Sequence, residues 1–172
     1  AHDDSVSARL GTLAVLPQLA DGLSIVPAQV LAQLLVPKDW LDGAAFQLSR
    51  GEKLDLEAFR LRLEKGGYRR VDTVYEHGEY AVRGNLLDLY PMGSQLPYRV
   101  DLFDDEIDTL RAFDPETQRT VNKVDHIRML PAREADLDDA GIRRFRANWH
   151  DTFDGNPREC LVYNDVSDGL PP

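Results

Sequence analysis

Apolar positions change their spacing along the chain, and these changes predict three parts. In residues 1–43, apolar residues recur at helical spacing over 5–16, which predicts a first helix. The apolar run at 23–26 predicts a short buried strand, and Pro27 is well placed to begin a second helix that Pro37 ends. A helix, a buried strand and a helix in succession are typical of an α/β domain with a parallel sheet, and this part is too short to be a complete one.

The middle part, residues 44–131, has the pattern of a complete α+β domain. A strand is predicted at 45–48, and Asp55 is placed to cap a helix with one apolar stripe. Short strands separated by Gly, Pro or Asp follow, which indicates an antiparallel sheet, and residues 104–105 suit a two-residue hairpin turn. These strands are predicted at residues 70–75, 79–83, 86–90, 98–103 and 106–113.

The last part, residues 132–172, is predicted to be helical at its start and then rich in turns. Acidic residues near Asp138 favour a helix start, and Ile142, Phe145 and Trp149 then follow on one stripe. The remainder is rich in turn-forming residues, and no further helix is predicted there. The fold class predicted for the chain is therefore α+β, an antiparallel sheet with a helix, flanked by partial α/β segments.

The strand predicted at 98–103 has two chemically different faces, because successive side chains of a strand point to opposite sides. One face suits a core: Tyr98, Val100 and Leu102. The other face is formed by Arg99, Asp101 and Phe103. An exposed Phe beside an Arg is typical of residues that anchor protein–protein contacts. The alternative is that Phe103 enters a second small core and Arg99 simply pairs with Asp101.

The same region carries the longest motifs of the chain. Residues 83–94 read RGNLLDLYPMGS, and they are followed by PYR at 97–99 and FDDEID at 103–108. Residues 75–80, just before them, read YEHGEY. This series closely resembles the transcription-repair coupling factors (the Mfd family), with the strongest similarity over 66–131. A looser version of the pattern belongs to UvrB, which shares this module.

The resemblance implies an N-terminal UvrB-homology region, in which an inserted domain interrupts a RecA-like α/β domain and binds UvrA. Here the flanks would be parts of the interrupted domain, and residues 44–131 would be the insert, similar to domain 2 of UvrB. The motif positions that contact UvrA in the family correspond to Arg83, Arg99 and Phe103. This chain differs slightly, because Leu102 stands where many relatives have Phe.

The resemblance also implies what the full-length protein does. It would be an ATP-driven DNA translocase that displaces stalled RNA polymerase and recruits excision-repair proteins. Its partners would include RNA polymerase, DNA and its own C-terminal domain, and its motor would use ATP and Mg²⁺. For the present stretch the resemblance implies protein binding, with no catalytic residue, no metal and no cofactor.

Composition limits the function further. The net charge of −10 argues against a chain that grips DNA through its phosphates, because that affinity comes from Lys and Arg. The single cysteine, Cys160, excludes an internal disulfide and suits a reducing cytoplasm. The sequence has no apolar run long enough to span a membrane, so no membrane partner is expected. The chain begins without a methionine, as expected of a segment excised from a longer protein.

The acidic tetrapeptide at residues 105–108 has the composition of a helicase metal-binding box. That role also needs a phosphate-binding loop, Gly-x-x-x-x-Gly-Lys-Ser/Thr, which the sequence lacks, so an acidic surface hairpin is predicted instead. The four histidines have no zinc-binding spacing. Two hypotheses remain: a binding module that recruits UvrA, either of a coupling factor or of UvrB, and a degenerate nucleotide- or DNA-binding helicase fragment.

The exposure of Arg83 depends on how the chain continues past Gly84. If residues 83–90 formed one straight strand, Arg83 would share a face with Leu87 and Leu89. A bulge at Gly84 would turn the arginine away from that face.

Overall fold

The computed structural model describes residues 2–28, 36–135 and 137–170, which divide into two compact units, Ala1–Ala132 and Arg133–Pro172. The helices described in the first unit are α1 (His2–Val15), α2 (Lys38–Ala44) and α3 (Leu56–Lys65). Its strands are β1 (Phe46–Ser49), β2 (Arg69–Arg70), β3 (Glu79–Arg83), β4 (Leu86–Leu89), β5 (Tyr98–Phe103), β6 (Glu106–Phe113), β7 (Thr120–Val124) and β8 (His126–Met129). Among the described residues, no helix is long and apolar enough to cross a membrane.

Two sheets form the first unit. The larger sheet has six strands in the order β2-β3-β4-β5-β6-β7 and is antiparallel except that β2 runs parallel to β3. Strands β1 and β8 form a separate antiparallel pair. Sequence order and spatial order agree from β2 to β7, and two-residue turns connect β3 to β4 and β5 to β6. The predicted α+β class with an antiparallel sheet is confirmed.

One face of the large sheet packs against α3 and forms the main core. The carboxylate of Asp55 accepts a hydrogen bond from the backbone N–H of Ala58 and caps the helix, as the sequence predicts. Phe59 and Leu63 then point into the core, where they contact the core-facing side chains of the sheet. The sheet contributes alternate residues, among them Tyr80, Leu87, Leu89, Val100, Leu102, Ile107 and Leu110.

Helix α1 packs on the loop between β4 and β5. A Cβ added at Gly11 would lie 2.9 Å from the Cα of Gly93, so this crossing requires glycine on α1. The backbone N–H of Gly93 donates to the hydroxyl of Ser7, and Leu10 is fully buried beside Met92. His77 lies in a turn, and its ring nitrogens contact Asp4 and the carbonyl of Ser94.

The second unit contains α4 (Asp139–Thr152) and α5 (Leu161–Ser167), with a short 3-10 turn at Pro157–Glu159. Asp138 caps α4 by accepting from the N–H of Gly141, which confirms the predicted helix start. Trp149 lies in an aromatic cluster with Phe145, Phe153 and Tyr163. Helix α5 lies in the segment for which the sequence predicts no further helix.

Two sequence predictions near the chain's start need correction. The first helix covers His2–Val15 rather than residues 5–16, and a 3-10 turn follows it. The strand predicted at 23–26 is wrong: those residues have no regular structure, and Leu23 and Ile25 are each 87% exposed. None of the described strands pairs with this run, and a strand needs a neighbour to satisfy its backbone groups.

Other element predictions need smaller changes. Pro37 was predicted to end a helix, and in the structure it directly precedes another one, α2. Most of the predicted helix that begins at Pro27 lies outside the described residues. The strand predicted at 70–75 is reduced to Arg69–Arg70, because the chain then turns away from β3. Strands β7 and β8 were not predicted. The assignment of the flanks to a RecA-like domain, with boundaries at residues 43 and 131, stays a prediction.

Candidate functional site

The second face of the large sheet carries polar side chains in rows that cross the strands. The register aligns Ala81, Asp88, Arg99, Arg111 and Lys123 across β3 to β7. The next row contains Arg83, Leu86, Asp101 and Thr109. Phe103 pairs with Glu106 in a third row, next to the hairpin turn at 104–105. We call these three rows the open face, since the main core lies on the opposite side.

Asp88 is the centre of the open face. Its side chain is 1% exposed, and it accepts hydrogen bonds from two arginines. Arg99 donates from Nε to one carboxylate oxygen at 2.7 Å and from Nη2 to the other at 2.8 Å, which is the two-point geometry typical of strong arginine–carboxylate pairs. Arg83 donates from Nη2 to the second oxygen. The hydrogen bonds to Asp88 raise the pKa of Arg99.

The two arginines differ in how much of each remains accessible. The Arg99 side chain is 18% exposed, and its guanidinium lies 4.9 Å from the ring centre of Phe113. The Arg83 side chain is 49% exposed. Arg83 can therefore present free donors to a partner, whereas Arg99 is largely enclosed by its contacts within the sheet.

A tight turn at residues 84–85, and not a bulge at Gly84, places Arg83 on the open face. Strand β3 ends at Arg83, residues 84–85 form a two-residue hairpin turn, and β4 begins at Leu86. Gly84 has a φ of +61°, a conformation that glycine adopts without strain. Arg83 therefore pairs with Leu86 rather than preceding it in one strand, and both lie on the open face with Asp88. The alternative of one straight strand is wrong.

Phe103 is the most exposed large apolar side chain of the open face, at 76%. It ends β5, two residues beyond Asp101, and so shares the face of Arg99 and Asp101. The predicted hairpin turn follows, with Asp104 at a φ of +55°. A large aromatic ring exposed at the end of a strand is of the residue type that is enriched among the anchors of protein interfaces.

The alternative for β5 was that Phe103 enters a second small core and that Arg99 pairs with Asp101. The second core exists, but neither contact is formed. A second small core does lie on this side, at the far end of the sheet, and contains Val74, Ala81, Tyr90 and Phe113. Phe103 is not part of it. Arg99 pairs with Asp88 rather than with Asp101, and Asp101 instead accepts from Arg111 at 3.1 Å.

The acidic tetrapeptide at 105–108 forms the predicted surface hairpin. The Asp105 carboxylate pairs with Lys53 at 2.9 Å, and this hydrogen bond lowers the pKa of Asp105. Ile107 is fully buried in the main core, whereas Glu106 and Asp108 are exposed. Within the described residues, no group of three or more His, Cys, Asp or Glu side chains could hold a metal ion.

The structure brings the three predicted site residues onto one face and adds residues that the sequence analysis missed. Asp88 lies three residues before Pro91 in the quoted motif, but only the register shows that it joins Arg83 to Arg99. Arg111 joins the same row through its pairing with Arg99 between β5 and β6, and Lys123 joins it because β7, which was not predicted, completes the sheet. The sequence did contain a signal for Arg111: it follows the core residue Leu110 in β6, so alternation places its side chain on the other face of the sheet.

Comparisons with known proteins agree with this architecture. The sequence model of the family described as "UvrB interaction domain" matches residues 46–134. The chain is 49% identical over 171 residues to the transcription-repair-coupling factor of Escherichia coli (strain K12), covering 99% of this chain and 15% of that protein. The corresponding protein of Haemophilus influenzae is 44% identical over 169 residues, covering 98% of this chain and 15% of that protein. That of Staphylococcus epidermidis is 35% identical over 141 residues, 82% of this chain and 12% of that protein.

The mixed sheet, the helix on one side and the open face on the other define a small α+β module. The chain belongs to the UvrB interaction domain family, since the family model matches residues 46–134. The predicted resemblance to transcription-repair coupling factors is confirmed by relatives that align over nearly the whole chain. The chain spans 15% of the length of these two relatives.

Proposed function

We propose that this chain is the UvrA-recruiting module of a transcription-repair coupling factor and binds UvrA through the open face. The observation that carries the proposal is the exposed ring of Phe103 on the same sheet face as the Asp88-bound arginines. The family description and the names of the relatives support a role of the module in transcription-coupled repair. The corresponding domain of UvrB is less favoured, because the quoted relatives are coupling factors along the whole chain.

The three residues have different parts in the proposed contact. Phe103 fills an apolar pocket of the partner and loses its contact with water there. Arg83 donates its free N–H groups to carboxylates or carbonyls of UvrA, because half of its side chain is accessible. Arg99 contributes the remaining accessible part of its guanidinium and helps Asp88 to hold Arg83 in place.

The wider activity belongs to the full-length protein and is part of the same proposal. That protein is proposed to be an ATP-driven, Mg²⁺-dependent DNA translocase that acts in the cytoplasm on stalled RNA polymerase. Its own C-terminal domain is a further proposed partner. The present chain is proposed to recruit UvrA without any nucleotide, metal or catalytic residue of its own.

The proposal is tested by titrating UvrA with the chain in a calorimeter and comparing variants. Phe103→Ala is expected to weaken binding by about 2 kcal/mol or more, as truncation of an anchor residue does. Thermal unfolding should stay unchanged, because the ring makes few contacts within the chain at 76% exposure. Arg83→Ala is expected to weaken binding as well, by a smaller amount.

Two control variants separate a local effect from a general one. Leu61→Ala removes a comparably exposed apolar side chain, at 60%, from α3 on the opposite side of the sheet. Arg143→Glu reverses a charge on α4 in the second unit. Both should bind UvrA like the parent chain. If Phe103→Ala also bound like the parent chain, with folding intact, the open face would not be the binding site.

A further inference from the structure

A row of cationic side chains crosses the open face beyond the three residues discussed above. The register places Arg99 on β5 opposite Arg111 on β6, and Arg111 opposite Lys123 on β7. Neighbouring strands are about 4.8 Å apart, so the three backbone positions span roughly 10 Å in a straight line across the sheet. Side chains directly opposite each other share a face, and the row therefore continues the face of Arg83 and Phe103.

The two cations at the β7 end of this row, Arg111 and Lys123, retain N–H groups that donate no hydrogen bond within the described residues. Lys123 is exposed, and no ion pair or hydrogen bond of its ammonium occurs among the described residues. Within the described residues Arg111 donates a single hydrogen bond, from Nη2 to Asp101, and its Nε is buried and not accessible to a partner. A guanidinium has five N–H groups, so Arg111 retains free donors with 28% of its side chain exposed.

The charge of this region is opposite to that of the chain. The first two rows of the open face contain four cations and two carboxylates. The cations are Arg83, Arg99, Arg111 and Lys123, and the carboxylates are Asp88 and Asp101. Four positive and two negative charges leave these rows at +2, whereas the formal net charge of the chain is −10. Both carboxylates already accept from arginines, and the third row adds only Glu106 beside Phe103.

We propose that the UvrA-binding face extends across β6 and β7, and that Arg111 and Lys123 bind carboxylates on the contact surface of UvrA. This inference rests on the proposed function. A like-charged row is unfavourable within the sheet, and carboxylates of a partner relieve that repulsion when they dock beside it. The row is continuous with the anchor residues, so Phe103 marks one border of the interface and Lys123 the other.

Carboxylates of a protein fit this row better than phosphates of a nucleic acid. Phosphate binding takes its affinity from many cations over an extended surface, and the large negative charge of the rest of the chain repels a polyanion. A short row of three cations beside an apolar ring is instead the mixture found in the centre and rim of protein interfaces.

Lys123→Glu tests the extended face, with Arg128→Glu as the matched control. Both residues are exposed cations on strands of the first unit, and both substitutions change the net charge by the same amount, but Arg128 lies on β8 in the separate two-stranded sheet. Equal changes in net charge make long-range electrostatics comparable, so a difference between the variants reports position. Circular dichroism checks that both fold like the parent chain.

Lys123→Glu is expected to weaken UvrA binding about tenfold, mainly through a slower association rate, since charges at the rim of an interface act on the encounter of the partners. The dependence of the association rate on salt should also become shallower. Lys123→Gln should fall between Lys123→Glu and the parent chain, and Arg128→Glu should remain within about twofold of the parent, as charges outside a contact act weakly.

The outcomes separate this inference from the proposed function. If the parent chain binds UvrA and Phe103→Ala weakens it, but Lys123→Glu equals Arg128→Glu, the extended face is wrong and the proposed function stands. If Lys123→Glu leaves UvrA binding unchanged and instead weakens binding of a labelled duplex oligonucleotide, the row serves nucleic acid and the inference is overturned. A parent chain that does not bind UvrA overturns both.

Discussion

At the scale of single residues, the buried carboxylate of Asp88 determines what the open face presents. A carboxylate that is 1% exposed is costly unless it is paired, and Arg99 and Arg83 together satisfy both of its oxygens. The same contacts restrict the two guanidinium groups before any partner arrives. Restriction before binding lowers the entropy lost on binding, so Asp88 positions the arginines without contacting a partner.

Arg99→Glu is expected to destabilise the chain before it affects binding, because it brings a second carboxylate next to buried Asp88. Removing one partner of a buried ion pair costs about 3 kcal/mol or more, and a like charge adds to that cost. Arg83→Ala should cost under about 1 kcal/mol, since Arg83 is half exposed and Arg99 still pairs with Asp88. Urea denaturation of the two variants measures both values.

Equal stability losses for Arg99→Glu and Arg83→Ala would show that Asp88 does not depend mainly on Arg99. The comparison also changes how binding data are judged. A loss of UvrA binding in Arg99→Glu would mix lost contacts with lost folding, whereas Phe103→Ala and Arg83→Ala report the face itself.

The site residues were predictable from the sequence to different degrees. Alternation along one strand was enough to place Arg99 and Phe103 on the same face. The pairing of Arg99 with Asp88 was not predictable, because it depends on the register between β4 and β5 and not on either strand alone. The face on which Arg83 lies depends on the two-residue turn at 84–85, whereas only a bulge at Gly84 was considered from the sequence.

At the scale of elements, most predictions that succeeded concern elements with one buried face, although β8, whose residues alternate between exposed and buried, was missed. Helix α3 and strands β3, β5 and β6 follow their predicted bounds closely, because each has apolar residues at the spacing of its own periodicity. Strand β7 was missed because it is an exposed edge strand, and an edge strand has little apolar pattern. The apolar run at 23–26 has the composition of a buried strand, but composition does not supply the neighbouring strand that it needs.

Glu79 joins β2, β3 and the turn before β3. Its carboxylate accepts from the backbone N–H groups of Tyr75 and Glu76, each at 2.9 Å, and from Nη2 of Arg69 at 2.7 Å. Burial alone would raise the pKa of Glu79, but these hydrogen bonds outweigh it and the pKa lies below its ordinary value of 4.5. The charged carboxylate is therefore more stable in the folded chain than in the unfolded one.

Glu79→Gln is expected to lower the free energy of unfolding by about 2 kcal/mol at neutral pH, the scale of hydrogen bonds to a charged group. A lowered folded-state pKa gives stability that is complete above the unfolded pKa and is lost as the pH falls through the folded pKa. The difference between the parent chain and Glu79→Gln should thus be constant near neutral pH and shrink below about pH 4. Urea denaturation across this pH range measures it.

Glu57→Gln provides the control for Glu79, since Glu57 is 73% exposed in the first turn of α3 and pairs only with Arg60 among the described contacts. Its effect at neutral pH should be below about 1 kcal/mol. A stability difference for Glu79→Gln that does not change with pH would mean that the charge of this carboxylate contributes nothing.

At the scale of the whole molecule, the chain has a negative charge overall and a positive patch on one face. Such a distribution favours a contact with another protein over a grip on DNA, because the patch is small and the rest of the chain repels phosphates. The acidic tetrapeptide completes the picture, since Asp105 pairs with Lys53 and Ile107 belongs to the core. Its acidic side chains are not gathered around one point, as metal-binding acids would be.

The chain alone is expected neither to hydrolyse ATP nor to bind duplex DNA at physiological salt. Hydrolysis requires a loop that cradles the phosphates together with Mg²⁺, and the sequence lacks the phosphate-binding motif. A coupled ATPase assay with and without duplex DNA should give the rate of a protein-free blank, and a labelled duplex should show no change in anisotropy up to high protein concentration. A DNA-dependent rate above the blank, removed by Asp105→Ala or Glu106→Ala, would instead support the helicase-fragment hypothesis. In that case the acidic hairpin, and not the open face, would be the functional centre of the molecule.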